Sequence, residues 1–380
     1  MNPTSNHTRG NRSESAAPPA RARQRSRRQT PDGIEQRLLA RARVAGFTSG
    51  DRIVVGFSGG RDSLALAAAL RWVQASLGVE PLLVHVDHRL RASSAEEALA
   101  AASLADSLHL AFQLVAVSTI PTDVHPGVGV EEAARRERYR TLFAVAERCG
   151  APAVATAHHR GDQAETVLLH LLRGGGVHGA AGMAERSPSP VPATAAPHDI
   201  SPEHSNGEPW LWRPLLLEPR EVIEAYVAKL GLTPIEDPSN DDRTLRRNAL
   251  RHQVLPVLET HFPGAEAALA RYATLAAEDD RALEAIARRL LGEGVDPGGR
   301  LATAQLRTQT AAIQRRVVRR WLAQSTDATM LSAERTEAVL LLALSGRGGT
   351  TLEIGEGWTV RFERGMLHAE RTASRHEEGP

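Results

Sequence analysis

Residues 53–63 read Ile53-Val54-Val55-Gly56-Phe57-Ser58-Gly59-Gly60-Arg61-Asp62-Ser63. The opening run, largely β-branched, predicts a short buried strand of the kind found in parallel sheets. The two adjacent glycines predict a sharp turn, and Leu66, Leu70 and Val73 beyond it carry the period of a helix. A glycine turn between strand and helix brings backbone N–H groups close to a ligand, and the helix start adds more of them with a positive dipole end. Such a loop cradles phosphate. It lacks the Gly-Lys-Ser/Thr ending of a Walker loop, so no lysine reaches for a terminal phosphate. Asp62 is a hard oxygen ligand beside that anion site, which suits a Mg²⁺ ion bridging carboxylate and phosphates.

Strand and helix patterns alternate outward from this loop. Residues 82–86, 112–117 and 153–157 read as further strands, and residues 95–108, 131–148 and 163–172 as helices. Ile34, Leu38, Leu39 and Val44 predict a helix ahead of the first strand. Repeated βα units predict an α/β fold with a doubly wound parallel sheet, which binds ligands beyond the carboxyl ends of its strands. Three more constellations fall near such ends. His85-Val86-Asp87-His88-Arg89-Leu90-Arg91 closes the second strand. Arg135, Arg138 and Tyr139 are spaced to share one helix face. His158-His159-Arg160-Gly161-Asp162-Gln163-Ala164-Glu165-Thr166 joins a strand end to a helix, with Asp162 and Glu165 one turn apart and able to receive a cation together. A zinc site is not expected, since His158, His159 and His170 lack the His-Glu-x-x-His order and no cysteine is near.

The 380 residues are 42% hydrophobic and 24% charged with a net charge of +1, which fits a soluble two-domain chain and excludes a fibrous or wholly disordered one. No apolar run reaches the roughly 18 residues needed to cross a bilayer, so no membrane partner is expected. One cysteine, Cys149, excludes an internal disulfide and a multi-cysteine metal site, and suits a reducing cytoplasm. Seven arginines against Glu14 give residues 1–30 a charge of +6 and leave −5 on the remainder. We expect residues 1–33 to form a disordered basic tail, residues 34–235 the α/β domain, and residues 187–209 a proline-rich mobile insertion within it. Residues 236–345, dominated by alanine, leucine and arginine, should form a smaller helical domain. Residues 346–380 should form a terminal hairpin, Thr350 to Ile354 against Trp358 to Phe362, and a tail.

The Ser58 to Ser63 loop resembles that of the PP-loop ATP pyrophosphatases, which cleave ATP between the α- and β-phosphates and adenylate a carbonyl oxygen. Several further motifs narrow the resemblance to the tRNA(Ile)-lysidine synthetases. They are His-Val-Asp-His, Ala-Arg-x-x-Arg-Tyr, the His158 to Thr166 region, Arg173-Gly174-Gly175-Gly176, Gly179 to Met183, Arg213-Pro214-Leu215-Leu216, Asp237-Pro238-Ser239-Asn240 and Arg247-Asn248-Ala249-Leu250-Arg251. Gly161 departs from the pattern, standing where the family has the first of two aspartates.

The resemblance implies ATP and Mg²⁺ as cofactors, and L-lysine and a CAU-anticodon tRNA(Ile) as substrates. ATP would adenylate the C2 carbonyl of the wobble cytidine, and the amine of free lysine would then displace AMP to give lysidine. Ser58, Gly59, Gly60, Arg61, Asp62, Ser63 and His85 would bind ATP, with Asp62 on the metal. Arg135 would offset charge on the phosphates, and Asp162 and Glu165 would hold the lysine ammonium. Because the body of the chain is net acidic, RNA binding is expected on local arginine groups. These are Arg243, Arg246, Arg247 and Arg251 at the domain junction, and Arg315, Arg316, Arg319 and Arg320 in the helical domain. A homodimer is one option for the oligomeric state. The competing readings are a PP-loop tRNA thiolase, disfavoured by the single cysteine, and a PP-loop protein that binds RNA without catalysis.

Overall fold

The computed structural model describes residues 32–89, 94–117, 129–190, 207–236, 246–326 and 332–372. The basic tail up to residue 31, most of the proline-rich insertion, the Asp237 to Asn240 turn, Arg243 and the last eight residues lie outside them.

The first half of the chain builds a six-stranded sheet of order β3-β2-β1-β4-β6-β5. β1 (Arg52–Gly56), β2 (Glu80–Asp87), β3 (Ala111–Ala116), β4 (Ala153–Ala155) and β6 (Trp210–Trp212) run parallel, and β5 (Arg186–Ser187) pairs antiparallel with β6. α1 (Gly33–Val44) precedes β1, and α2 (Arg61–Leu77), α3 (Ser94–Ser107), α4 (Val130–Arg148) and α5 (Arg160–Leu172) follow β1 to β4 in turn. A short α6 (Gly176–Ala180) and α7 (Arg220–Leu230) complete this half. The chain leaves β1 toward β2 and β3, then returns to lay β4 on the other flank of β1. The crevice between the carboxyl ends of β1 and β4 is therefore the switch point at which such sheets bind ligands.

Strand alternation sorts the two faces. Ile53, Val55, Ala153, Ala155 and Trp212 face the core under α1, α2 and α7, while Val54, Val84, Val154 and Leu211 face Tyr139, Leu142 and Phe143 of α4. α1 starts with a capping box, Asp32 accepting from the Ile34 N–H and Glu35 accepting from the Asp32 N–H. It is tied to α7 by the Tyr226 hydroxyl, which donates to Glu35 at 2.8 Å, and by Lys229 on Asp32 at 2.8 Å.

Beyond the sheet, α8 (Arg246–Ala249), a π-helical segment (Leu250–Val254) and α9 (Leu255–His261) lead into the 30-residue α10 (Ala265–Gly294). A second core gathers the end of α10, α12 (Ala311–Ser325), α13 (Ala333–Ser345) and a four-stranded antiparallel sheet around Trp321, Val318, Val339 and Leu367. That sheet has the order β7-β10-β9-β8, with β7 (Leu301–Ala302), β8 (Thr350–Gly355), β9 (Trp358–Glu363) and β10 (Met366–Arg371).

The structure corrects the sequence reading in four places. The terminal hairpin is three strands of a four-stranded sheet, because Gly365 at φ +78° turns the chain once more. Within the expected helical domain a two-residue strand, β7, intervenes, followed by two separate helices, α11 (Thr303–Arg307) and α12, with Thr310 serving as N-cap of the latter. Ser187, assigned to the mobile insertion, belongs to β5. Trp210-Leu211-Trp212 forms a strand that the sequence does not announce, since three residues after a proline-rich stretch carry too little periodicity to read.

Candidate active site

β1 ends at Gly56, and the Phe57 N–H still donates to Val84 O, so the chain stays extended until Ser58. Gly59 then adopts φ +78°, and a Cβ there would stand 2.4 Å from the Ile235 Cδ1 atom. Only glycine meets both constraints. Gly60 is the N-cap of α2 and offers no side chain, which leaves the first N–H groups of that helix available to a ligand. Ser63 Oγ donates to Gly60 O at 2.9 Å and meets Ser58 Oγ at 3.2 Å, and the Ile235 N–H donates to Gly59 O, bracing the turn from outside. The Arg61 side chain turns away to Glu224 of α7 at 2.6 Å, so its contribution to a nucleotide is its backbone. His85 is buried with Nδ1 on Phe57 O at 3.0 Å, which places it behind the loop, and burial lowers its pKa.

The second half of the crevice is the start of α5. The helix begins at Arg160, three residues earlier than its apolar period predicts, so Asp162 lies in the first turn. His159 is its N-cap: the ring is 3% exposed, and Nδ1 accepts from the Gly161 N–H at 3.0 Å. Asp162 reciprocates by accepting from the His159 N–H at 2.9 Å. With Nδ1 an acceptor, the neutral ring carries its proton on Nε2, which lies 3.8 Å from Asp62 Oδ2 and 3.7 Å from Asp162 Oδ2. One buried imidazole thus stands between the carboxylate of the glycine loop and the carboxylate of α5. Gly161 has a local reason: a Cβ there would be 2.8 Å from the His159 Cε1 atom, so the folded-back ring occupies the space an aspartate would need.

The two carboxylates are driven apart electrostatically. Removal of solvent raises the pKa of Asp62, helped by the charge of Asp162 and opposed by His159. Burial also pushes Asp162 upward, but His159, His158, Arg247 and Arg251 outweigh it and bring the group down to about 2. The neighbouring His158, with Nδ1 2.9 Å from Thr156 Oγ1, is held neutral by desolvation with a pKa of about 3.

Glu165 and the arginines of the domain junction come together in a way the spacing alone did not suggest. Glu165 is 1% exposed and accepts from Arg247 Nε at 2.9 Å and Arg251 Nε at 2.6 Å. Arg251 also donates to Asp162 Oδ1 at 3.0 Å. The cation this acid pair holds here is therefore Arg251. Arg247 and Arg251, expected on RNA, point inward, while Arg246 is exposed. Arg251 lies in the π-helical segment, a form of helix that recurs at functional sites. No feature of Arg247 to Arg251 signals that extra-wide turn in the sequence.

The second arginine group, expected on RNA, is largely paired with acids. Arg315 pairs with Glu337 at 2.7 Å, Arg316 with Asp280 at 2.7 Å and Glu284 at 2.9 Å, and Arg320 with Glu284 at 2.7 Å. Acids from α10 and α13 thus pair with most of that stripe; Arg315 and Arg319 are its exposed members, and among the described residues Arg319 makes no ion pair. On α4, the Arg135 guanidinium lies 5.2 Å from the centre of the Tyr139 ring. Cys149 caps the far end of α4 beside Arg52, which begins β1. It is therefore at the amino edge of the sheet, opposite the crevice.

Comparisons with known proteins agree with this geometry. A PP-loop domain model matches residues 33–258, and a TilS substrate binding domain model matches residues 301–368. A tRNA(Ile)-lysidine synthase of Deinococcus deserti is 38% identical over 81% of this chain, and those of Ralstonia nicotianae and Salinispora tropica are 36% and 38% identical over 89% and 83%. The matched region spans 52% of the first relative's length, 69% of the second's and 90% of the third's. Among solved structures, the U34-tRNA thiolase NcsA from Methanococcus maripaludis with its [4Fe-4S] cluster aligns at a TM-score of 0.50 with 15% identity, covering 64% of this chain and 77% of that one, a likeness of fold. The glycine loop, the His-x-x-Asp cap facing it and relatives matched over most of the chain converge, and the chain belongs to the tRNA(Ile)-lysidine synthase family.

Proposed function

We infer that this chain attaches L-lysine to C2 of the wobble cytidine of a CAU-anticodon tRNA(Ile), consuming ATP and releasing AMP and pyrophosphate. The observation that carries this reading is the meeting of Asp62 and Asp162 across His159, 3.8 and 3.7 Å from its Nε2. It joins a nucleotide loop to a site that can hold a cationic substrate. An amide-like carbonyl oxygen is a poor leaving group, and esterification to AMP makes C2 open to attack by an amine. The uncapped start of α2 and the backbone of Ser58 to Ser63 hold the phosphates.

Among the described residues no group of three or more His, Cys, Asp and Glu side chains could form an all-protein metal cage. Mg²⁺ characteristically takes one or two carboxylates together with substrate phosphates. Asp62, with its side chain 43% exposed at the mouth of the loop, fits that mode. The bound ion would neutralise charge on the phosphates. Asp162, ionised down to a pH of about 2, supplies the negative charge that a lysine ammonium needs, and takes it in place of Arg251. Glu165, fully engaged by Arg247 and Arg251, positions those arginines. Arg135 supplies positive charge for anions at the same edge.

We assign residues 34–235 to catalysis and residues 236–345 to RNA binding. A reducing cytoplasmic setting belongs to the same proposal. Sulfur transfer has no support, because the lone cysteine is at the opposite edge of the sheet.

The test is release of AMP from α-labelled ATP. It should require both lysine and the tRNA, and Asp62→Asn should lower it by roughly 10²–10³-fold with the fold retained. AMP release that ignores lysine, or an Asp62→Asn variant as active as the parent, would contradict the reading.

A further inference from the structure

Arg213 follows β6 directly. Leu211 faces α4 and Trp212 faces the opposite core, where its ring lies 4.9 Å from Phe47, so Arg213 returns to the α4 side at the carboxyl edge. The residue is 6% exposed. Nη1 donates to Ala184 O at 2.7 Å and to Ser187 Oγ at 3.1 Å, both neutral, and Nε is buried with no partner. Other buried or half-buried arginines of this half have a carboxylate, as Arg37 and Arg41 have Glu218 and Arg247 and Arg251 have Glu165. The neutral phenol of Tyr139 is a hydrogen-bond partner of its side chain, and the charged group acting on it is a second cation, Arg135. A buried guanidinium beside another guanidinium, with a free donor and no counter-charge among the described residues, is unbalanced until an anion arrives.

The chemistry of the substrate supplies one. Free lysine brings two amines and a carboxylate. One amine must be neutral to attack, while the other, as an ammonium, and the carboxylate both need partners when they leave water. Asp162 and the cations Arg213, Arg247 and Arg135 all lie near enough to His158 for their charges to act on its ring, so both kinds of partner border one place. We propose that Arg213, with Arg135 beside it, is an oxyanion subsite for the α-carboxylate of the amino-acid substrate, adjoining the Asp162 site for its ammonium. The subsite rests on the ligase reading above and adds to it that the enzyme selects an amino acid over a plain diamine or an amino-acid amide.

The test uses the full chain with saturating ATP and RNA, and compares L-lysine, L-lysinamide and 1,5-diaminopentane as acceptors. The parent protein should prefer lysine. Arg213→Gln and Arg135→Gln should each raise KM for lysine by about 10- to 100-fold and abolish the preference over lysinamide, and Arg213→Gln should leave KM for ATP and RNA unchanged. Arg213→Lys should restore part of it. Should Arg213→Gln fail to fold, Arg135→Gln, on the half-exposed flank of α4, carries the test. An unchanged preference for lysine in both variants would overturn the subsite alone. So would a rise in KM confined to ATP or RNA, since it would assign these cations to phosphate. No product with lysine in the parent protein would overturn the ligase reading as well.

Discussion

At the scale of single residues, the crevice is a set of charges whose cost of burial is met by specific neighbours. Glu165 shows this most clearly, since two guanidinium groups depend on it. Glu165→Gln would leave both partly buried and underpaired, and should destabilise the protein by about 2–4 kcal/mol, read as a lowered Tm or denaturation midpoint. His158 and Asp162 set the acid limb of stability. The unfolded chain protonates a histidine near pH 6.5, whereas folded His158 resists down to about 3, so stability should fall as pH drops from 6.5, by at most ~1.4 kcal/mol per pH unit. His88, lowered to about 4 by burial, adds to the same limb. Asp162 has its pKa depressed, so its contribution is complete above about pH 4 and is lost between there and about 2. Chemical denaturation across pH 4–7 should therefore give a shallower slope for His158→Asn than for the parent; equal slopes would contradict this assignment.

At the scale of elements, the strand-loop-helix unit around Gly59 and Gly60 and the capped start of α5 were legible to different degrees. The loop was readable because its chemistry is local: two glycines, a strand before and a helix after. The four strands β1 to β4 were readable for the same reason. The Asp162, Glu165, Arg247 and Arg251 cluster was not, since its members come from segments 82–89 residues apart and a π-helical turn brings them together. Gly161 looked like a missing carboxylate, and the structure gives it a packing reason in the ring of His159. Gly161→Asp should push that ring off its cap and cost about 1 kcal/mol, seen as a lower Tm. A variant as stable as the parent would show that the ring has another place to go.

At the scale of the whole molecule, the near-zero net charge conceals a division of labour among arginines. Those of α12 at positions 315, 316 and 320 pair with acids of α10 and α13, Arg316 and Arg320 beside the second core and Arg315 at the surface, while Arg319 is exposed and makes no ion pair among the described residues. Arg316→Ala should accordingly lower stability with little effect on the salt dependence of RNA binding. Arg319→Ala should reduce the slope of log affinity against log salt by about 1 with stability unchanged. The reverse outcome would return the stripe to RNA recognition. On the proposed function, the Asp62 loop and the Asp162 site act together on one RNA base. The most direct measurement is incubation of the purified chain with ATP, Mg²⁺, isotopically labelled L-lysine and a CAU-anticodon tRNA(Ile) transcript, followed by nuclease digestion and mass analysis of the anticodon nucleosides. Label should fall on the wobble cytidine alone, dependent on ATP and absent with Asp62→Asn; folded protein that leaves the cytidine unmodified would contradict the proposed function.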